Sequence, residues 1–224
     1  MRMRFLPLAI TRVGNDEACV AGVTEDGLWI RPEPVSLDQV QREPAAYDYS
    51  RWSVVDLAES IAEDHRWEDR TVLNPETVCI AGSVTSAERA TMLARYTDAD
   101  VSSALEGQRT VGLIRVTLHL VYAKRATGGR VFLRGAFTDS AGKDYDWIIP
   151  ELAFARLARP FVVDGQLKPA FAERFRDALS RVPTFFTVGL TKREHRFPGR
   201  FKGCHPLVVG IHTVPDYHAF VARW

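Results

Sequence analysis

The sequence predicts an α+β protein dominated by β-strands, built as two small β-barrels joined by helical insertions. Three observations predict it. Apolar residues recur mainly with period two or in short runs. Glycine-bearing turns separate those runs at short intervals. Long amphipathic stretches are few, a pattern that suits small barrels.

The elements follow in chain order. "RFLPLAITR" alternates as a first strand, and "EACVAGVTEDGLWIRP" as two more joined at Glu25-Asp26-Gly27. Asp-Gly supplies the positive φ that a tight hairpin requires. Pro32 and Pro34 end that pairing. Residues 33–51 form an excursion with at most one short helix, and "RWSVVDLAESI" is the next strand. Residues 84–106 are the first helical region, with Ser86 as N-cap and Ala90, Leu93 and Ala94 at helical spacing. Two β-rich runs then flank Gly128-Gly129, a hairpin signal, and a turn at Ser140-Ala141-Gly142 leads into "KDYDWIIP". "ELAFARLARPF" is a short helix ended by Pro160. "KPAFAERFRDALSRV" places Phe171, Phe175, Ala178 and Leu179 on one helical face. "TFFTVGLTK" and "CHPLVVGIHTV" close the chain as strands. The expected division is 1–108 for the first barrel with its helical insertion and 109–224 for the second, packed as one unit.

The 224 residues suffice to bury a sizeable core. A hydrophobic share of 46% and a charged share of 25% are those of a soluble globular protein. No apolar run approaches the roughly 20 residues of a membrane span, so no membrane partner is expected. The apolar patch after "MRMR" is too short for a signal-peptide core. Cys19, Cys79 and Cys204 are odd in number and far apart. They fit a reducing cytoplasm and make neither a disulfide framework nor a zinc cluster.

The net charge of +1 hides two opposed segments. Between Arg181 and His205 six Lys/Arg face the single acid Glu194. Between Asp56 and Arg70 six acids face only Arg66 and Arg70. Either the two segments neutralise each other or the basic one meets an external polyanion.

"ITRVGNDEACVAGVTEDGLWIRPEPV" resembles the opening signature of a prokaryotic family described as dual OB-containing domains. The residues that carry the likeness are Cys19-Val20-Ala21-Gly22 and Gly27-Leu28-Trp29-Ile30-Arg31-Pro32. "WSVVDLAES", the strand Val188 to Lys192 and the closing "GIHTVPDY" add to it. The resemblance implies two OB-like barrels and recognition of nucleic acid, in some cases within defence systems. It carries no catalytic residues, and residues 75–180 contribute nothing to it.

Single-stranded nucleic acid is held by cations along its backbone and by rings on which bases stack. Lys192, Arg193, Arg196, Arg200 and Lys202 supply charge, and Phe197 and Phe201 supply rings if they point outward. Otherwise this is a solvated hairpin with its phenylalanines in the core. Trp29 and Arg31, two apart on a strand, project to one face and suit a base sandwich. The competing reading puts Trp29 in the barrel wall and pairs Arg31 with an acid of the 56–70 segment. His119 alternates with Leu118 and Leu120 on the less apolar face, a structural position.

Other chemistries find little. The acids Asp56, Glu59, Asp64, Glu68 and Asp69 with His65 have the oxygen donors a divalent cation prefers. Their spacing matches no nuclease, HExxH, deaminase or EF-hand pattern. No GxGxxG, P-loop or GxSxG is present, and adjacent Cys204 and His205 point apart on a strand. The expected function is therefore non-catalytic binding of single-stranded DNA or RNA, in the setting of a prokaryotic defence or stress sensor. The binding residues would be Trp29, Arg31, Lys192, Arg193, Arg196, Phe197, Arg200, Phe201 and Lys202. No catalytic residue, metal or cofactor is expected. The alternatives are a nucleotide or small-molecule sensor that docks to a protein partner and a metal-dependent nuclease.

Overall fold

A computed structural model describes residues 1–58, 66–74, 78–191 and 201–221. The expected fold class holds: the chain is an α+β protein dominated by strands, 47% strand and 25% helix, and contains a closed five-stranded barrel. It divides into two compact units. One comprises Met1–Tyr96 with Gln108–Val111, the other Thr97–Gly107 with Gly112–Trp224.

In the first unit, β1 (Arg2–Val13), β2 (Glu17–Thr24) and β3 (Trp29–Glu33) form an antiparallel meander. Gly27 turns the chain between β2 and β3 at φ +89°, as the Asp-Gly pair predicts. β4 (Val35–Ser36) pairs with β2 and leads into α1 (Leu37–Arg42), whose first turn is capped by the Ser36 side chain. β5 (Arg51–Asp56) returns beside β1. The order β5-β1-β2-β3 is that of a Greek key. β6 (Asp69–Thr71) then lies parallel to β3, and the bridge Leu57–Val72 links the ends of β5 and β6. β7 (Cys79–Ser83) pairs with the other side of β5, and α2 (Ser86–Tyr96) completes the unit.

The residues that carry the family likeness build this sheet. Gly22 stands opposite Pro7 beside a bulge in β1. A Cβ there would lie 2.1 Å from the Leu6 carbonyl oxygen, so no other residue fits without moving backbone.

In the second unit, β8 (Thr97–Asp98) runs parallel to the start of β9 (Val111–Arg125), with α3 (Val101–Leu105) between them. The single helical region expected over 84–106 is thus two helices. Asp98 accepts from the Leu113 amide at 3.2 Å, and Asp100 then caps a new helix through Ser103 N at 2.7 Å. The N-terminus of α2 also differs from expectation by one residue. Thr85 and Glu88 form a reciprocal pair, Thr85 N to Glu88 Oε2 at 2.8 Å and Glu88 N to Thr85 Oγ1 at 3.2 Å.

β10 (Val131–Asp139) and β11 (Asp144–Ile148) follow β9 as hairpin partners. Next come α4 (Leu152–Ala158), the small hairpin β12 (Val162–Val163) and β13 (Gln166–Leu167), and α5 (Pro169–Leu179). β14 (Thr184–Leu190), β15 (Pro206–Thr213) and α6 (His218–Val221) end the chain. β14 returns beside β9, and β15 fills the gap between β14 and β11, running parallel to β11. The ring β9-β10-β11-β15-β14 is thereby closed. Its interior is aromatic: Phe137 stacks on Tyr145 at 5.4 Å and meets Phe186 edge-on at 5.1 Å. α5 buries Phe171, Ala172, Phe175 and Leu179, close to the face its sequence predicts. Each such phenylalanine contributes about 1.5–3 kcal/mol of burial.

Candidate nucleic-acid interface

Three of the residues expected to touch a ligand are core residues. Trp29 pairs with Val23 across the β2–β3 ladder and is 2% exposed. Its indole fills the first unit's interior and offers no face to a base. Arg31, also 2% exposed, is held by carboxylates of the 56–70 segment. Its Nη2 lies 3.0 Å from Glu68 and its Nη1 2.9 Å from Asp69. The Thr110 hydroxyl accepts from Arg31 and donates to Glu68. Arg66 extends the network to Glu33 at 3.0 Å and to Asp69 at 3.2 Å. The wall-and-ion-pair reading of Trp29 and Arg31 is the correct one, because the β3–β6 register sets Arg31 directly opposite Asp69. Phe201 is likewise buried, its ring edge-on to Trp147 at 5.8 Å. It belongs to the second unit's core instead of a stacking surface.

Lys192, Arg193, Arg196, Phe197 and Arg200 lie outside the described residues. Lys202 sits on the short 3-10 turn Phe201–Gly203. What topology establishes is their place: they occupy the connection from β14 to β15, neighbours in the closed ring. Two acids of the 56–70 segment, Glu68 and Asp69, are engaged by Arg31 and Arg66. That engagement also removes Asp69 from the nuclease reading, whereas Asp64 and His65 lie outside the described residues. Among the described residues no group of three or more His, Cys, Asp or Glu is placed to hold a metal.

Burial pushes the Asp69 carboxyl up, but Arg31 and Arg66 beside it outweigh burial and hold it below its ordinary range. A depressed carboxyl contributes stability that is complete above its unfolded value of about 3.9. That contribution is lost as pH falls through the lower folded value. Asp69→Asn is therefore expected to flatten the decline of stability below about pH 5. Urea midpoints measured at several acidic pH values check this, and equally steep parent and variant curves would refute it.

A second basic surface lies where the sequence predicts a plain hairpin. "YAKRATGGRVFLR", Tyr122 to Arg134, holds four cations and no acid. Gly129, at φ +80°, turns the chain at its tip. Gly135, Phe137 and Asp139 of β10 are buried, so the alternate residues Phe132, Arg134, Ala136 and Thr138 face outward. Tyr122 stands opposite Arg134 and Lys124 opposite Phe132. The Arg130 guanidinium lies over the Phe132 ring at 5.0 Å. Lys124, Arg125 and Arg130 are exposed and form no salt bridge among the described residues. Leu120, 46% exposed, extends the apolar strip along β9.

Further along the face, Arg134 donates from Nε to Tyr122 Oη at 3.0 Å and to Asp146 Oδ1 at 3.1 Å. The Tyr122 hydroxyl donates to Asp146 Oδ2 at 2.6 Å. Partial burial and then Asp146 raise the hydroxyl's pKa, which keeps it a donor. His119, exposed as expected, contacts the Thr138 hydroxyl, which in turn donates to Asp144. The result is a fixed polar lattice beside the half-buried Tyr122 and Phe132 rings, with cations gathered at the hairpin tip.

Residues 7–97, nearly all in the first unit, match a family model described as Domain of unknown function (DUF8758). No curated protein sequence matches the chain. Among the described residues no helix is long and apolar enough to cross a membrane.

Proposed function

We propose that the chain binds single-stranded DNA or RNA, without catalysis, on the barrel of its second unit. The observation that carries this reading is topological. Two acid-poor basic segments, Tyr122–Arg134 and the stretch containing Lys192 to Lys202, fall on two particular connections of one closed ring. One joins its first and second strands, β9 and β10, and the other its fourth and fifth, β14 and β15. OB-type barrels are five-stranded Greek keys that bind oligonucleotides with the face of strands two and three and with these two loops. In that frame β10 and β11 are the reading face, Phe132 and Tyr122 the rings, and Lys124, Arg130 and, from the other face of the hairpin tip, Arg125 the phosphate contacts. Sites of this kind take about 4–16 nucleotides per barrel.

The resemblance to dual OB-containing domains is compatible with this reading. A mononucleotide pocket at Trp29 and Arg31 is not, since both are interior. The test is fluorescence polarisation with a labelled single strand of about 12 nucleotides across a salt series. Three backbone contacts at the hairpin alone predict a log–log salt slope of about −2 or steeper. Absence of binding, or binding indifferent to salt, would overturn the proposal.

A further inference from the structure

From the same face, and resting on the nucleic-acid reading above, we infer that Asp146 makes the site prefer bases that carry an exocyclic amine, cytosine over thymine or uracil. The outward positions of the face are chemically divided. The hairpin end of this face carries Lys124 and Arg130, which suit phosphates, while Arg125 lies on the hairpin's other face against Gly165. The outward positions of β11 carry Asp144 and Asp146, which repel them. A strand lying across this face is therefore oriented: its backbone follows the tip and its bases point toward the carboxylates.

Asp146 is placed to read what arrives. Its side chain is 48% exposed. Each oxygen already accepts once, from Arg134 and from Tyr122, and keeps a further lone pair for a ligand. These bonds fix the carboxylate's orientation before binding. The carboxylate lies 2.6 Å from the Tyr122 hydroxyl, so a base stacked on that ring brings its edge to Asp146. A carboxylate can only accept. Cytosine offers its N4 amine as a donor, whereas thymine and uracil present the O4 carbonyl at the same position, an acceptor against an acceptor. Unmatched acceptors in a partly desolvated site oppose binding.

The experiment compares labelled dC and dT homopolymers of equal length by fluorescence polarisation. Both are pyrimidines, which limits differences in self-stacking. The parent protein is expected to bind dC roughly five- to tenfold more tightly than dT. Asp146→Asn presents an amide that can donate or accept, and it should bring the two affinities to within about twofold of each other. Loss of negative charge alone would instead strengthen both equally and leave the ratio unchanged. Thermal unfolding of the variant verifies that the β9–β10–β11 face is intact, and Tyr122→Phe, which frees Asp146 but keeps the ring, should retain the dC preference. Equal binding of dC and dT by the parent, or a ratio that Asp146→Asn does not alter, overturns the inference and leaves the nucleic-acid reading standing. Failure of both homopolymers to bind overturns the nucleic-acid reading itself, and the inference with it.

Discussion

Arg31→Ala is expected to destabilise the first unit by about 3–5 kcal/mol. The guanidinium stands between Glu68, whose side chain is fully buried, and Asp69, which is 3% exposed. Its removal takes the cation from the buried Glu68 and one cation from Asp69, which keeps Arg66 beside it. Burying an unpaired ion is far costlier than losing a surface pair, so Coulomb attraction at the surface is the wrong scale for this substitution. Against a typical total of about 5–15 kcal/mol, such a loss brings the unit close to unfolding at room temperature. The second unit has a separate aromatic core around Phe137 and Phe186. It is expected to keep its own transition, so the variant should melt in two steps. Arg31→Lys keeps the charge but not the planar fork that reaches both acids, and should fall between parent and alanine. Arg31→Met combined with Glu68→Gln removes cation and anion together and should recover part of the loss. Calorimetry or circular dichroism melts measure all three. An alanine variant within about 1 kcal/mol of the parent would show that the network is dispensable.

Most of the fold is legible in local chemistry. Asp26-Gly27 and Gly128-Gly129 do turn hairpins, and the period-two pattern of "VGLIRVTLHLVYAKR" is one long strand. The aromatic face of α5 is buried as read. The site was less legible because its decisive facts are long-range. The spacing of Trp29 and Arg31 shows that they share a face but not which side of the sheet that face meets. The answer depends on Asp69, 38 positions further on, reaching Arg31 through a parallel pairing. Phe201 looked like a ring between cations, yet its neighbour in space is Trp147. The converse holds for Lys124, Arg125 and Arg130. In sequence they are an ordinary solvated hairpin. They become candidates for phosphate contacts only once the ring closes and their turn joins its first two strands while the β14–β15 connection joins its last two.

Reversing the charge of that turn is the most direct trial of the function. Lys124→Glu, Arg125→Glu and Arg130→Glu together should weaken single-strand binding by at least about 100-fold at 0.1 M salt. The figure follows from counterion release. Three lost phosphate contacts at about 0.7 each remove roughly two powers of ten in affinity at that salt, and the new carboxylates add repulsion. The salt slope should become shallower by about 2. Stability should barely move, since all three side chains are exposed and their bonds are few. Arg125 donates to the Gly129 carbonyl at 3.4 Å and lies beside Gly165, and Arg130 covers the Phe132 ring. Phe132→Ala provides the contrast. It should cost a roughly 5- to 150-fold loss through stacking and leave the salt slope unchanged, because a ring releases no counterions. Reversing Arg193, Arg196 and Arg200 in the β14–β15 connection is a separate arm. If that variant loses binding while the hairpin variant does not, the phosphates follow the other loop. If the hairpin variant binds as tightly as the parent, with the same slope, Lys124, Arg125 and Arg130 are solvated bystanders and the β10–β11 face is not where a strand lies.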